Sequence, residues 1–218
     1  MIHPDTELRE VNPEIGYGVF ATKDIPKGSI TWALDPLDQV MDKARVASVW
    51  RQHKQMLLRY TWINERGERI LCWDFARYMN HSCEANTFGP GTFDFEVAVR
   101  DIKAGEQVLS DYGTLNLEDP MRCACGSPKC RGVVRSRDFE RFAPEWDLLI
   151  RDAFPLIRSV QQPLWGFVTR LQRRIDQGVA QPESLPSILA GRWAPPARVP
   201  AVSSAAVAAA TNGAQRGA

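Results

Sequence analysis

The sequence predicts a mostly β fold of several small sheets with helical additions, and three observations predict it. Short apolar, β-prone runs bounded by turn residues recur through the first 112 residues. A polar stretch with helical spacing interrupts them, and beyond Gly132 the composition turns helical. At 218 residues the chain can bury one sizeable core and little more.

The elements follow in order. Gly16-Tyr17-Gly18-Val19-Phe20-Ala21 is an apolar stretch after glycines, and Pro26-Lys27-Gly28-Ser29 is turn chemistry, so a hairpin or meander is expected there. From Met41 to about Arg59, Val46, Val49, Trp50, Met56 and Leu57 fall on one helical face among charged residues, which reads as a helical insertion. Tyr60 to Asn64 and Ile70 to Trp73 flank Glu65-Arg66-Gly67-Glu68, the pattern of a second hairpin. Phe93, Phe95, Val97 and Val99 alternate with Asp94, Glu96, Ala98 and Arg100, as in a half-buried strand. Ile102 to Glu106 then turns into Gln107-Val108-Leu109-Ser110. Phe139, Phe142, Trp146, Leu149 and Ile150, and later Leu164 to Ile175, recur at helical spacing, with Pro144, Pro155 and Pro163 as interruptions; two or three short helices fit. From Ala194 the tail of Pro, Ala, Ser and Gly has too little apolar surface to offset the entropy of ordering it, and disorder is expected.

Net charge is +1, from 27 basic and 26 acidic residues, so no global field draws the chain to nucleic acid or an anionic membrane. No apolar run approaches the ~20 residues of a membrane-spanning helix, and the first 20 residues hold acidic groups without an apolar signal core. A soluble, non-exported protein is expected, and five cysteines in such a chain favour metal over disulfides.

The cysteines are the strongest local signal. Cys123, Cys125 and Cys130 place three thiolates in one tight loop that a tetrahedral zinc ion can gather. A fourth ligand is needed, with Cys83, His81 and Cys72 as candidates; Cys83 is preferred because it sits in the polar stretch Asn80-His81-Ser82-Cys83, whereas Cys72 lies in an apolar strand. Arg77 to Asn86 is dense in hydrogen-bonding side chains, and polar loops of this kind line sites. Gly105 to Gly113 ends a strand in Asp111-Tyr112-Gly113, and the glycines of Gly16-Tyr17-Gly18 permit close approach of a ligand to the backbone. Each of these three has an ordinary reading alone: a structural histidine, a strand-ending turn, a hairpin.

Their order and spacing resemble the SET-domain family of protein lysine methyltransferases with its post-SET zinc segment. Gly16 to Ala21 is similar to the family's N-terminal cofactor motif, Arg77 to Asn86 to Arg-Phe-Ile-Asn-His-Ser-Cys-x-Pro-Asn, and Gly105 to Gly113 to Gly-Glu-Glu-Leu-x-x-Asp-Tyr-Gly. Cys123, Cys125 and Cys130 match the post-SET Cys-x-Cys-x4-Cys. The resemblance covers about residues 8 to 134 and implies a β-clip fold in which the last motif threads beneath a loop as a pseudoknot. It divides the chain into a SET domain at 8–116 with a variable helical insert at 41–59, a zinc segment at 117–134, a helical extension at 135–193 and a tail at 194–218. It implies a S-adenosylmethionine site at Gly16, Tyr17, Gly18, Arg77, Asn80, His81 and Tyr112, and Cys83 joining Cys123, Cys125 and Cys130 on zinc. That zinc site is closed and structural.

The implied reaction is methyl transfer to a lysine of a histone or another protein. The ammonium must lose a proton first; desolvation and an adjacent positive sulfur lower its pKa, so a dedicated base is not essential. Tyr112 aligns the amine, and Tyr60, counted with it at the reacting centre, is with Trp62 a channel wall or a core aromatic. Two residues depart from the family pattern. Ala85 replaces a common proline, and Ser110 stands where many relatives carry an aromatic residue that helps set the number of methyl groups added. The arginine and alanine bias fits a stand-alone bacterial enzyme in the cytoplasm, with a nucleus or host cell as other locations. A lysine-bearing protein is the expected partner, without direct nucleic-acid or membrane contact, and a dimer through the C-terminal helices is one arrangement for residues 135 to 193. A SET-like module that binds without turnover is the alternative reading.

Overall fold

The computed structural model describes residues 1–194; the expected disorder of the tail falls on residues outside these, apart from Ala194. In chain order the strands and the first helix are β1 (Thr6–Asn12), β2 (Gly16–Ala21), β3 (Ile30–Ala33), β4 (Gln39–Met41), α1 (Lys43–Tyr60), β5 (Thr61–Ile63) and β6 (Arg69–Leu71). Then come β7 (Asn80–His81), β8 (Thr87–Phe88), β9 (Phe95–Ala98), β10 (Leu109–Ser110), β11 (Met121–Arg122) and β12 (Val133–Val134). Three helices close the order: α2 (Asp138–Ala153), α3 (Trp165–Val168) and α4 (Gln172–Ala180).

Both expected hairpins form, β1 with β2 and β5 with β6, and β4 adds to β6 to make three strands. Glycine at position 16 meets the left-handed backbone that the first turn requires, with φ +83°. The insertion is one helix and runs on through Tyr60. The Asp42 carboxylate caps it by accepting from the Arg45 amide at 2.7 Å, and of the predicted inner face only Leu57 is fully buried.

The site is built on the five-stranded sheet, ordered β3-β9-β8-β10-β7. Strands β7 and β8 are consecutive in the chain, yet β10 lies between them and pairs parallel with each. Asn86 secures the insertion: its side chain donates to the Gln107 carbonyl at 2.7 Å and accepts from the Leu109 amide at 2.8 Å. This is the two-sided pairing expected of a threaded final motif.

The C-terminal helices share the sheet's core. Phe88, Phe93, Phe95 and Val97 pack with Phe139, Trp146, Phe154, Ile157 and Ile175 in one buried cluster, and the Phe95 and Phe154 rings stack with centroids 6.3 Å apart. Most of the extension's apolar face thus packs on its own chain, while Leu148, Leu149 and Leu156 stay exposed. Pro144 does not interrupt α2, contrary to the sequence reading. It forgoes only the bond to the Glu140 carbonyl, and burial of Phe139, Ala143, Trp146 and Ile150 outweighs that loss. Gln162 completes the edge of β3, accepting from the Ile30 amide and donating to the Gly28 carbonyl, both at 2.8 Å.

Gly28 is where the sheet and the extension touch most closely. Its φ is +88°, and a Cβ there would lie 2.6 Å from Leu156 Cβ and 2.9 Å from the Leu156 carbonyl carbon. Gly28→Ala is expected to destabilise the protein by about 2–4 kcal/mol through backbone strain and overpacking. Urea unfolding checks this, and an unchanged midpoint would show that the extension yields at no cost.

Candidate active site and zinc site

The turn after β10 brings the predicted residues together. Asp111 caps it, accepting from the Gly113 amide at 2.9 Å, and this fixes the direction of Tyr112. The Tyr112 hydroxyl donates to the Met79 carbonyl at 2.7 Å. Burial pushes its pKa up to about 12, with Glu96 adding to the rise and Arg59 opposing it, so the phenol stays protonated at neutral pH.

Tyr112 borders a cavity of about 600 Å³, within the size range of ligand sites. Tyr17, Arg77 and Asn80 border the same cavity, as do Tyr60, Trp62, Tyr78 and Ser110. Residues expected to hold the cofactor and residues expected to wall the channel therefore border one cavity with Tyr112. Tyr60 is the last residue of α1, not of the hairpin, and its ring meets Tyr78 edge-on at 5.3 Å. Tyr78 in turn meets Tyr17, which is half exposed at the mouth.

Gly16, Gly18 and His81 do not line the cavity. A Cβ at Gly18 would lie 2.5 Å from Gln107 Oε1 and 2.8 Å from Asn80 Nδ2, so the absence of a side chain there serves Asn80 first. Asn80 donates to the Tyr17 carbonyl at 3.0 Å and to Gln107 at 3.1 Å. Arg77 donates to the Cys72 and Trp73 carbonyls, and its guanidinium lies over the Tyr78 ring. A guanidinium, an amide and an exposed aromatic ring are groups suited to the carboxylate, amine and adenine of S-adenosylmethionine.

His81 lies behind the cavity, between Tyr112 and the cysteines. Its Nδ1 accepts from the Tyr112 amide at 3.1 Å, while Nε2 is 3.4 Å from Cys83 Sγ. A neutral imidazole that accepts at Nδ1 carries its proton on Nε2 and donates it to the sulfur. Burial first, then the nearby Arg131 charge, pushes its pKa down to about 4, in keeping with a neutral ring.

His81, Cys83, Cys123 and Cys125 have ligand atoms all within 4.8 Å of one another. Cys83 Sγ and Cys123 Sγ are 3.8 Å apart, and Cys130 Sγ is 3.7 Å from Cys123 Sγ. Tetrahedral zinc with bonds of about 2.3 Å spaces neighbouring sulfurs by about 3.8 Å, so these thiols fit the ion. With Nε2 donating, His81 stands as a support of Cys83, and Cys130, beside Cys123, is the candidate for the fourth place although it lies outside the set of mutually close ligand atoms. Cys72 stands apart, buried beside the other face of the sheet. The backbone and side chain of Arg131 each donate to Cys83 Sγ at 3.3 Å, and its Nη2 reaches Asp111 at 2.5 Å. The loop carrying Cys123, Cys125 and Cys130 is thereby tied to the Tyr112 turn.

Two contributors escaped the sequence reading. Asn116 adopts φ 54°, donates to the carbonyls of Ile63 and Gly191 at 2.9 Å each, and accepts from the Trp193 amide at 2.9 Å. It clamps the end of the extension so that Ile188 and Gly191 wall the cavity. A single Asn after a tyrosine turn gives no such signal. The other is Glu96, considered below.

Residues 16–113 match the SET domain family. Over 147 residues, 61% of this chain, the sequence is 30% identical to Histone-lysine N-methyltransferase SETD2 of Homo sapiens. Over 71 residues, 30% of the chain, it is 37% identical to Histone-lysine N-methyltransferase TRX1 of Oryza sativa subsp. japonica. Those matches cover 6% and 7% of the two relatives, so the chain corresponds to a small part of each. A solved methyltransferase domain of human Histone-lysine N-methyltransferase SETMAR aligns with TM-score 0.45 and 19% identity, covering 62% of this chain and 58% of that one. Residues 16–113 of this chain are thus similar to a SET domain.

Proposed function

We propose that the chain is a S-adenosylmethionine-dependent protein lysine N-methyltransferase. The observation that carries this reading is the single cavity in which Arg77 and Asn80 meet the aromatic residues Tyr60, Trp62 and Tyr78 at Tyr112. The family match and the histone-lysine methyltransferases among the relatives support the reaction class, with a histone or another protein lysine as substrate.

S-adenosylmethionine supplies an electrophilic methyl group when bound. Arg77 and Asn80 would hold it, and the aromatic walls take the target side chain, excluding water and disfavouring its charged form. The Tyr112 phenol, fixed on the Met79 carbonyl, positions the amine at the reacting centre. The thiolates of Cys83, Cys123, Cys125 and Cys130 would hold zinc, which shapes the wall and takes no part in the chemistry. Purified protein incubated with methyl-labelled S-adenosylmethionine, a histone panel and lysine-bearing peptides is expected to give N-methyllysine by mass spectrometry. Absence of label in every acceptor, together with no binding of the labelled compound, would overturn the assignment.

A further inference from the structure

Glu96 is a carboxylate in the wall of the cavity that Tyr60, Trp62, Tyr78 and Tyr112 also border. Its strand neighbours Phe95 and Val97 are buried in the core, while Glu96 borders the cavity together with Ser110 and Tyr112. Two hydroxyls hold it: Ser110 Oγ donates to Oε1 at 2.8 Å and Thr87 Oγ1 to Oε2 at 3.2 Å. Thr87 is braced in turn by Thr31 Oγ1 at 2.5 Å. The small Ser110 side chain leaves room for the carboxylate that its hydroxyl binds.

Of the other charged residues bordering the cavity, Arg69 pairs with Glu118, Glu65 with Arg66, and Arg77 lies over the Tyr78 ring; Arg59 and Asp119 border it as well. Asp94 and Arg100, flanking Glu96 in sequence, pair with Arg170 and Glu106. β3, β8 and β10 present hydroxyls, the turn after β10 presents the Tyr112 phenol, and the Arg59 cation acts from α1 on that phenol. No cation neutralises Glu96 among the described residues, and desolvation raises its pKa above the ordinary carboxylate range. A pre-oriented, uncompensated carboxylate in a cavity bordered by aromatic rings is a receptor for a cation that arrives from outside.

We infer that Glu96 receives the substrate ammonium and takes its proton, acting as the base of the methyl transfer. This rests on the methyltransferase reading. An N–H bond of the ammonium breaks and an O–H bond forms on Glu96, which frees the nitrogen lone pair. The nitrogen then bonds the methyl carbon as the carbon–sulfur bond breaks, its electron pair going to sulfur. The product is a methylammonium, and Glu96 returns its proton to solvent. The same carboxylate accepts N–H donors, so it favours amines that still carry them.

Three measurements on the full chain and Glu96→Gln test this. The first titrates both with n-butylammonium, whose chain matches the lysine side chain, against 1-butanol as the uncharged control. Wild type should prefer the cation by about tenfold and the variant should lose that preference, as expected for one charge-assisted hydrogen bond. The second is the pH–rate profile, in which Glu96→Gln should lose about 100-fold near pH 7 and recover as pH approaches the ordinary lysine pKa.

The third is thermal stability. The folded state holds the Glu96 proton more tightly than the unfolded chain, so stability falls as pH rises from the ordinary carboxylate range through the raised value. Glu96→Gln should therefore melt about 2–4 °C higher at pH 7 and gain nothing at pH 4. Should Glu96→Gln not fold, Glu96→Asp, which withdraws the carboxylate by one methylene, should show a reduced cation preference. A variant that keeps the wild-type cation preference and pH profile overturns the inference. A wild type that prefers butylammonium yet methylates nothing would refute the methyltransferase reading and leave the cation receptor standing.

Discussion

Tyr112→Phe is expected to lower methyl transfer by about 10²–10³-fold, the usual cost of removing one positioned polar group from a reacting centre. Tyr112 borders the cavity, and its hydroxyl is held by the Met79 carbonyl. Its removal leaves the ring to fill the same space and forfeits one hydrogen bond, about 1 kcal/mol of stability. Zinc content should be unchanged. Because burial lifts the phenol to about 12, the wild-type rate should show no decline from Tyr112 ionisation between pH 7 and 10. Label transfer, metal analysis and thermal melting on one preparation separate these outcomes, and undiminished transfer in the variant would remove Tyr112 from the mechanism.

Removing the metal should have an effect of similar size for a different reason. Freshly purified protein is expected to hold one zinc per chain, and Cys83→Ser or prolonged chelation should release it. Structural zinc in small domains contributes roughly 10–16 kcal/mol of apparent binding energy, comparable with the whole stability of a typical fold. Residues 117–134 are otherwise held by a two-residue pairing of β11 with β12, the contacts of Arg131, and polar ties of Glu118 to Arg69 and of Ser127 and Lys129 to Glu84. Hydrogen exchange should accelerate through this segment and at the Tyr112 amide, which is bonded to His81. Transfer should fall about 100-fold or more. Protein that purifies without zinc and still methylates would refute both the site and its role.

The local elements were legible because they rest on short-range chemistry. Turn residues marked the β5–β6 hairpin, the apolar run from Gly16 to Ala21 marked β2, apolar spacing marked α1, and three cysteines in eight residues pointed to a metal loop. Pro144 misled because helix-breaking is a local tendency that a buried face overrides. The pairing of β10 with β7 and β8 lies in two-residue strands, too short to show any period; only its resemblance to a known motif disclosed it. Glu96 was hidden by the alternation that located its strand. A glutamate opposite Phe95 and Val97 reads as a solvent-facing residue, and only the fold turns that face toward a cavity.

The insertion of β10 between β7 and β8 also governs the time course of folding. A ribosome releases residues 80–88 well before 109–110, so β7 and β8 appear without the strand that joins them. Pairing between them must wait for a distant segment to enter, and loop closure of this kind slows two-state folding. The C-terminal aromatic residues that complete the sheet's core emerge later still. Refolding from denaturant should accordingly be slow for a chain of this size, with α1 gaining helicity early and Tyr112 protected last. Until then, Phe88 and Phe95 are open to contact with other chains, and dilute, cool conditions favour recovery of the native form.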